Sequence, residues 1–205
     1  MNPETLGNIW KMTVKLAMGE IARHVLKIIE NLDDKEIETM IEAIKNAERI
    51  FLLGAGRSGL AAKAFAMRLT QLGLTVYVIG EITTPAMTDK DLLIAVSGSG
   101  ATESVVHAAK TAKGVGSKIL SVTSYPKSRL GRISDYVVKV KGRTKVDIEK
   151  NHLKHQIEGT HSSLTPLGTL FEDTVMIFFD GIIAALMVEL QKGELDMKRR
   201  HALVE

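Results

Sequence analysis

Short, continuous apolar runs alternate with helical patterns through the middle of the chain. A strand that is apolar without alternation has both faces covered, as strands of a parallel sheet do. Strand and helix in this rhythm predict parallel pairing with helical crossovers. We therefore expect an α/β fold, a three-layer α-β-α sandwich around a five-stranded parallel sheet, with additional N-terminal helices. The five runs are RIFLL, TVYVIG, DLLIAVS, SKILSVTS and DYVVKVKG.

The remainder of the chain is helical apart from one polar segment and a charged tail. A length of 205 residues favours one domain. The polar segment lacks periodicity, which is typical of a lid, a binding loop or disorder. We expect a single domain, 1–205, built from N-terminal helices (1–47), a parallel sheet core (48–141), a loop (142–165), a long C-terminal helix (166–192) and a tail (193–205).

Two amphipathic helices are predicted before the first strand. Apolar residues of the first helix recur at alternating intervals of four and three, the pattern of a coiled-coil seam. Asp33 or Asp34 is placed to cap the second helix. The stripe has two interpretations: it covers the core of its own domain, or it packs against another subunit. Its members are Val14, Met18, Ile21, Val25, Ile28 and Leu32.

The first predicted strand leads into a turn with Gly54, Gly56 and Gly59 in the spacing G-x-G-x-x-G. Such a turn before a helix offers backbone N–H groups and a positive dipole end to an anion. The spacing is also the fingerprint of dinucleotide-binding folds. Glu81 follows the second strand about 20 residues later, where the acid that binds a ribose would lie.

Arg57 and Ser58 favour a different anion. They place a permanent cation and a hydroxyl between Gly56 and Gly59, and arginine binds phosphate oxygens through two parallel hydrogen bonds. A pyrophosphate held by backbone alone needs neither. A surface salt bridge is the alternative role for Arg57. We predict that Gly56, Arg57 and Ser58 help to bind a phosphorylated small molecule.

A second loop of small residues follows the third predicted strand and precedes a helix. Its three hydroxyls and its backbone N–H groups suit a single phosphomonoester, and it lacks the lysine of a nucleoside triphosphate site. A capped turn is the simpler explanation, but it accounts for only one hydroxyl. Ligands of open parallel sheets bind where strands end, so both loops are expected to share one pocket. The predicted phosphate- and sugar-binding residues here are Ser97, Gly98, Ser99, Gly100, Ala101 and Thr102.

Composition excludes several other classes of site. The chain has no cysteine, which excludes disulfides, thiolate metal ligands and cysteine nucleophiles. Lysine plus arginine exceed aspartate plus glutamate by 27 − 24 = 3, far from the basic surface of a nucleic-acid-binding protein. The most apolar stretch, 175–190, contains two acids and is too short to cross a bilayer. We expect a cytoplasmic protein without nucleic-acid or membrane partners.

The loops GAGRSG and SGSGAT resemble those of the sugar isomerase (SIS) domain, which binds phosphosugars. Longer segments, including PLGTLFEDTVMIFFDGIIAALM and the terminal RRHALVE, resemble the 6-phospho-3-hexuloisomerase family. The resemblance implies interconversion of D-arabino-3-hexulose 6-phosphate and fructose 6-phosphate in the ribulose monophosphate pathway of formaldehyde metabolism, by a homotetramer. The family usually has a glutamate in place of Ala101 and often a histidine in place of Gln71.

Moving a carbonyl to the neighbouring carbon requires a base that removes a proton from one carbon and returns it to the adjacent carbon, through an enediol intermediate. A base near neutral pKa does this best, and hydrogen bonds that polarise the oxygens make a metal or other cofactor unnecessary. Glu172 heads an apolar stripe of the predicted C-terminal helix, and the resemblance assigns the catalytic base to it. The spacing of Thr169 and Glu172 equally fits a capping box.

The histidines include one candidate for catalysis. The resemblance gives His201, in the tail, a proton-transfer role, with the residue supplied by a neighbouring subunit. His152, His155 and His161 lie in the polar loop, where their spacing is weak evidence for zinc, and we expect no metal site. Asp180, within the long apolar helix, is expected to be buried.

Two other functions fit the same residues. One is a different phosphosugar isomerase, acting on a heptose phosphate or an aldose. The other is a non-catalytic regulator that binds a phosphosugar. Such regulators usually carry a helix-turn-helix module, and residues 1–47 lack the turn glycine and the basic recognition face of one.

Overall fold

The computed structural model describes residues 3–142 and 164–200, and the sheet within them has five strands. All four strand pairs are parallel, in the order β2-β1-β3-β4-β5, which confirms the predicted sheet. The chain adds β2 on one side of β1 and the later strands on the other. The strands are β1 (Ile50–Gly54), β2 (Val76–Val78), β3 (Leu92–Val96), β4 (Lys118–Thr123) and β5 (Tyr136–Lys139).

Helices cover both faces of this sheet and complete the three predicted layers. In the described residues they are α1 (Pro3–Ile29), α2 (Asp34–Asn46), α3 (Arg57–Gln71), α4 (Glu103–Val115), α5 (Arg129–Ile133), α6 (Thr169–Glu189) and α7 (Glu194–Arg199). One buried cluster joins α2, α3, α6 and the end of α1 to the first face of the sheet. A second cluster joins α4 and α5 to the other face.

Strand β3 shows why an uninterrupted apolar run predicts a strand that is buried on both faces. Its five residues are all buried. Leu92, Ile94 and Val96 belong to the first cluster, whereas Leu93 and Ala95 belong to the second. Since successive side chains point to opposite faces, a strand between two helical layers must be apolar on both.

Helix α6 packs along α3 and against parts of α1 and α2, and it leaves one face exposed in the single chain. The rings of Phe65 and Phe179 stack with their centroids 4.2 Å apart. On the other side Ile177, Asp180 and Val188 are exposed. The expectation that Asp180 is buried is therefore wrong, because the apolar composition of the helix did not reveal which face meets the core.

The stripe predicted on α1 covers its own core only in part. Val25 and Ile28 are buried against the first cluster and α6, but Val14 and Met18 are 58% and 65% exposed. The N-terminal half of α1 thus has an apolar face without a cover in the described chain. After α1, the side chain of Asp33 accepts hydrogen bonds from two backbone N–H groups and caps α2, as one of the two predicted candidates.

An ion pair between a partly buried arginine and a buried aspartate joins the starts of the neighbouring strands β1 and β3. Arg49 Nε donates to Asp91 Oδ1 at 2.9 Å and Arg49 Nη2 to Asp91 Oδ2 at 2.7 Å, while Thr88 N–H also donates to Oδ2. Burial alone would raise the pKa of Asp91. The hydrogen bonds from Arg49 and Thr88 outweigh burial and hold that pKa below its ordinary value of 3.8.

None of the helices in 3–142 and 164–200 has the length and hydropathy needed to cross a membrane. Most of the predicted loop, including His152, His155 and His161, lies outside the described residues, as does the tail from His201 onward.

Candidate active site

The two glycine-rich loops lie side by side at the carboxyl edge of the sheet. Strands β1 and β3 are direct neighbours, with Gly54 opposite Val96. The strand order reverses its direction between them, because the chain goes from β1 to one side and then returns to the other. In open parallel sheets, the crevice at such a switch point is where ligands bind. The two loops are therefore neighbours, but the groove found beside them is lined by Arg57 of the first loop and by no residue of the second, so the single shared pocket stays a prediction.

Close backbone packing explains two of the glycines in the first loop. A Cβ on Gly54 would lie 2.7 Å from backbone atoms of Ser58 and Gly59, and one on Gly59 would lie 2.8 Å from the Gly54 carbonyl oxygen. Gly56 has φ +58 and open space around it. Arg57 is the first residue of α3 and is exposed, whereas Ser58 is buried.

Glu81, the acid that a dinucleotide site would need, is engaged elsewhere. Its carboxylate pairs with Lys63 at 2.5 Å, and both side chains are about half exposed. An exposed pair of this kind adds little stability. A phosphate site built from the two loops has no need of this residue.

The hydroxyl groups of the second loop form hydrogen bonds within the loop. Ser97 Oγ and Thr102 Oγ1 are 3.0 Å apart, and Ser99 Oγ accepts a hydrogen bond from Ala101 N–H at 3.2 Å. Thr102 is the N-cap residue of α4, yet its side chain makes no capping bond. Hydroxyl oxygens therefore gather where free helical N–H groups favour an anion.

Gly100 fixes the shape of this loop. It has φ +59, and a Cβ there would overlap the hydroxyl of Ser128, which caps α5. Leu130 N–H donates to the Gly100 carbonyl oxygen at 2.9 Å. The start of α5 thus packs against the loop, and only glycine fits at position 100.

Gly100→Ala should lower the free energy of unfolding by about 2 kcal/mol, because the new methyl group meets Ser128 and the left-handed conformation disfavours any Cβ. Urea denaturation measures the change. Gly114→Ala is the matched control, since a Cβ at that position of α4 meets nothing within 4 Å. Alanine is the better helix former there, so the control should be neutral or stabilising. Equal losses in both variants would contradict the packing argument.

Glu172 lies in the first turn of α6, but no capping box forms. The helix begins at Thr169, and Gly168 is its N-cap residue with φ +93 and no side-chain cap. The capping-box interpretation of Thr169 and Glu172 is therefore wrong. Gly168 has a different use, because a Cβ there would lie 2.8 Å from Glu172 Oε1. Its missing side chain leaves room for the carboxylate.

Arg57 connects the first loop to this carboxylate. Its Nε donates to Glu172 Oε2 at 2.7 Å, and its Nη2 donates to Asp173 Oδ1 at 2.6 Å. The side chains of Glu172 and Asp173 are 17% and 33% exposed. The salt bridge considered as an alternative for Arg57 thus forms. Its partners are the predicted base and the next residue, which the sequence analysis did not single out.

Phe171 sets the start of α6 against the second loop. Its ring is buried, and a Cβ on Gly98 would lie 2.9 Å from it. A Cβ on Gly142, which follows β5, would overlap the Phe171 backbone. Glycine at both positions allows α6 to approach the carboxyl edge of the sheet closely. Glu172, one residue further on, is thereby held between the two loops.

A groove of about 440 Å³ opens beside the Arg57 ion pairs. Its volume is typical of small-molecule sites, and it combines charged with apolar walls. A larger cavity of about 510 Å³ lies at the opposite edge of the sheet, beside Asp91 and Lys118. Ligands of open parallel sheets favour the carboxyl edge, which points to the smaller groove. The groove is lined by Ile21, Arg57, Leu60, Ala61, Glu172, Asp173, Met176 and Ile177.

The fold brings both predicted loops and Glu172 to one edge, but other candidates lie elsewhere. Gln71 ends α3, a 15-residue helix that starts at Arg57, so the two lie about 20 Å apart. Gln71 stands where the family often has a histidine, and within this chain that position lies far from the groove. The guanidinium of Arg200 lies against Gly73, also at that remote end. His201 follows Arg200 and is outside the described residues.

Comparison with known proteins adds independent findings. The model of the SIS domain matches residues 43–153. The chain is 46% identical over 186 residues to an uncharacterized protein of Methanothermobacter thermautotrophicus, which covers 91% of this chain and 94% of the relative. It is 34% identical over 188 residues to the 3-hexulose-6-phosphate isomerase of Bacillus subtilis, and the match covers 92% of this chain and 97% of the relative. A crystal structure of a Methanococcus jannaschii protein matches with a TM-score of 0.74 at 32% identity, and the match covers 90% of this chain and 97% of that one. A function of 3-hexulose-6-phosphate isomerase was inferred from that structure.

Proposed function

Since the chain belongs to the SIS domain family and, within it, to the ketose-phosphate isomerases, we propose that it interconverts D-arabino-3-hexulose 6-phosphate and fructose 6-phosphate. The reaction serves the ribulose monophosphate pathway of formaldehyde metabolism, in the cytoplasm. One observation carries the proposal: Glu172 lies in the first turn of α6, which packs through Phe171 against a loop with three hydroxyls. A carboxylate beside a phosphate-binding loop is what isomerisation of a sugar phosphate requires.

The second loop binds the phosphate of the substrate. Ser97, Ser99 and Thr102 supply hydroxyls, and the backbone N–H of Gly98 supplies a further donor, whereas the N–H groups of Gly100 and Ala101 donate within the loop, to the Ser97 carbonyl oxygen and to Ser99 Oγ. The start of α4 adds the positive end of its dipole. Gly56, Arg57 and Ser58 of the first loop contact the sugar from the other side of the crevice. Anchoring the phosphate places the reacting carbons within reach of Glu172 and reduces the entropy cost of reaction.

Glu172 moves the proton between the two reacting carbons. In the direction of fructose 6-phosphate, it takes the proton from C2 of the 3-ketose, and the electron pair forms the C2–C3 double bond of an enediol. The same carboxylic acid then returns the proton to C3, and the carbonyl appears at C2. A second group must move a proton between the two oxygens. No net oxidation occurs, so the step needs no redox partner.

His201 carries that second proton, and it acts in the groove of a neighbouring subunit. Arg200, the residue before it, contacts Gly73 at the end of α3 remote from Arg57. A 15-residue helix spans about 22 Å, more than one side chain can reach. A histidine is suited to the task because it gains and loses a proton near neutral pH.

A shared site requires an oligomer, and we infer a homotetramer in which the N-terminal half of α1 packs on another subunit. Trp10, Val14 and Met18 are exposed on the N-terminal half of α1, and the C-terminal part of the same helix borders an apolar groove with α6. The double substitution Val14→Glu and Met18→Glu should shift the protein from tetramers to smaller species, because it places carboxylates in an apolar contact. Sedimentation velocity at micromolar concentration measures this.

Lys15→Glu is the control for that substitution. It changes the charge of the same helical turn at an exposed position and leaves the apolar stripe intact. The control should sediment as the wild type does. A monomeric wild-type protein would contradict both the assembly and the role of His201, whereas an unchanged double variant would contradict the packing of α1 on another subunit.

The proposed activity can be tested directly with purified protein. Addition of D-arabino-3-hexulose 6-phosphate should yield fructose 6-phosphate, which phosphoglucose isomerase and glucose-6-phosphate dehydrogenase convert with formation of NADPH. Absence of product would overturn the proposal. Turnover of a different phosphosugar would indicate another isomerase. A rise in melting temperature with phosphosugars but no turnover of any would indicate a non-catalytic regulator.

A further inference from the structure

We propose that Asp173 is a positioning residue that holds Arg57 beside the reacting oxygens of the substrate while Glu172 carries the proton. The inference rests on the proposed isomerase function and assigns a task to a residue outside the predicted site. Its starting point is the sharing of one guanidinium edge between two consecutive carboxylates. Nε bonds Glu172 and Nη2 bonds Asp173.

The two carboxylates reach Arg57 from different directions. Consecutive residues of a helix point about 100° apart, so Glu172 and Asp173 approach the guanidinium from two sides of the first turn of α6. Both bonds are short, at 2.7 and 2.6 Å. Among the described residues Nη1 has no hydrogen-bond partner, and all three side chains line the same groove. The free N–H groups of Arg57 are therefore available to a ligand in that groove.

The charge on Glu172 changes during the proposed reaction, whereas that on Asp173 does not. When Glu172 accepts the proton, it becomes neutral and its attraction for Arg57 weakens. At the same moment negative charge develops on the enediolate oxygens. A cation held in place at that moment stabilises the transition state without reorganisation. Asp173 is the remaining anion that can hold Arg57 there.

The simpler explanation is an ordinary surface ion pair between Arg57 and Asp173. Exposed pairs contribute little, and their removal leaves activity unchanged. The two explanations differ in what they predict for turnover. A positioning role lowers kcat, because the cation is misplaced when the oxyanion forms, but it leaves the phosphate anchor and therefore KM nearly intact.

Asp173→Asn keeps the shape and one acceptor oxygen, and Asp173→Ala removes both. We expect kcat to fall roughly 10-fold in the first and roughly 100-fold in the second, with KM within about threefold of wild type. Asp180→Asn is the matched control, because Asp180 lies on the same helix and is exposed. It loses the same charge and should retain wild-type kcat. Circular dichroism melting checks that all variants are folded.

A double-mutant cycle with Arg57 shows whether the effect passes through that residue. In an Arg57→Lys background, which lacks the guanidinium fork, Asp173→Asn should cost no more than about twofold in kcat. Additive losses would overturn the inference. So would an active wild type whose Asp173→Asn variant matches Asp180→Asn, with the proposed function left standing. A wild-type protein inactive on both sugar phosphates would overturn the proposed function and this inference together.

Discussion

Glu172→Gln should lower kcat for the hexulose isomerisation about 10³-fold, because a glutamine amide cannot accept the substrate proton. The change is nearly isosteric, and the amide oxygen can still accept the hydrogen bond from Arg57 Nε. Binding of the phosphosugar should therefore stay close to wild type, since the phosphate is held by the second loop. Steady-state kinetics measures kcat, and isothermal titration with fructose 6-phosphate measures affinity.

Glu189→Gln serves as the control for this substitution. Glu189 is the last residue of the same helix and pairs with Lys45 on the surface, at the end of α6 remote from the groove. The control should retain full turnover. If Glu172→Gln were as active as the control, the base would have to be sought elsewhere, and the carboxylate would serve only to neutralise Arg57.

Asp91→Asn, which replaces a carboxylate by an uncharged amide, should lower the free energy of unfolding by about 3 kcal/mol at neutral pH. This is the largest stability effect that we expect from a single substitution. The Asp91 side chain is fully buried, and its carboxylate accepts both hydrogen bonds of the Arg49 fork. Removal of the charge leaves the partly buried Arg49 guanidinium without its counter-ion. Urea denaturation of both proteins gives the difference, and Glu81→Gln, at an exposed pair, should change little.

The same pair predicts how this difference depends on pH. The folded-state pKa of Asp91 lies below its ordinary value of 3.8. A group of this kind stabilises the fold fully at pH values above its unfolded pKa and loses that contribution as the pH falls through the folded pKa. The difference between wild type and Asp91→Asn should therefore be constant near neutrality and shrink in acid. A difference that grew on acidification would contradict the assignment.

The sheet could be predicted from the sequence because its signals are local. Five consecutive apolar residues predict a strand such as Leu92–Val96. The glycines at 54 and 59 indicate the turn that follows β1. The order of the strands places the two loops at one crevice, and that consequence also follows from general rules of parallel sheets. Nothing in these inferences requires knowledge of how distant side chains meet.

The pairing of Arg57 with Glu172 and Asp173 was beyond such signals, because it joins positions 115 and 116 residues apart. An acid that directly follows a predicted base was the available clue to Asp173. Local patterns also misled at two points of α6. Glu172 fitted a capping box until Gly168 proved to be the N-cap, and Asp180 was expected inside because an apolar composition does not say which face is covered.

Proton NMR of fructose 6-phosphate incubated with the protein in D₂O tests the central claim most directly. A base that works between C2 and C3 exchanges its proton with solvent during turnover, so the C3 proton signal should decay while signals of a 3-ketose grow and the C1 signals persist. Exchange at C1 with C3 intact would contradict the claim and indicate an aldose–ketose isomerase. Shifted or broadened sugar signals without any exchange would contradict it as well and indicate a protein that binds the phosphosugar without converting it.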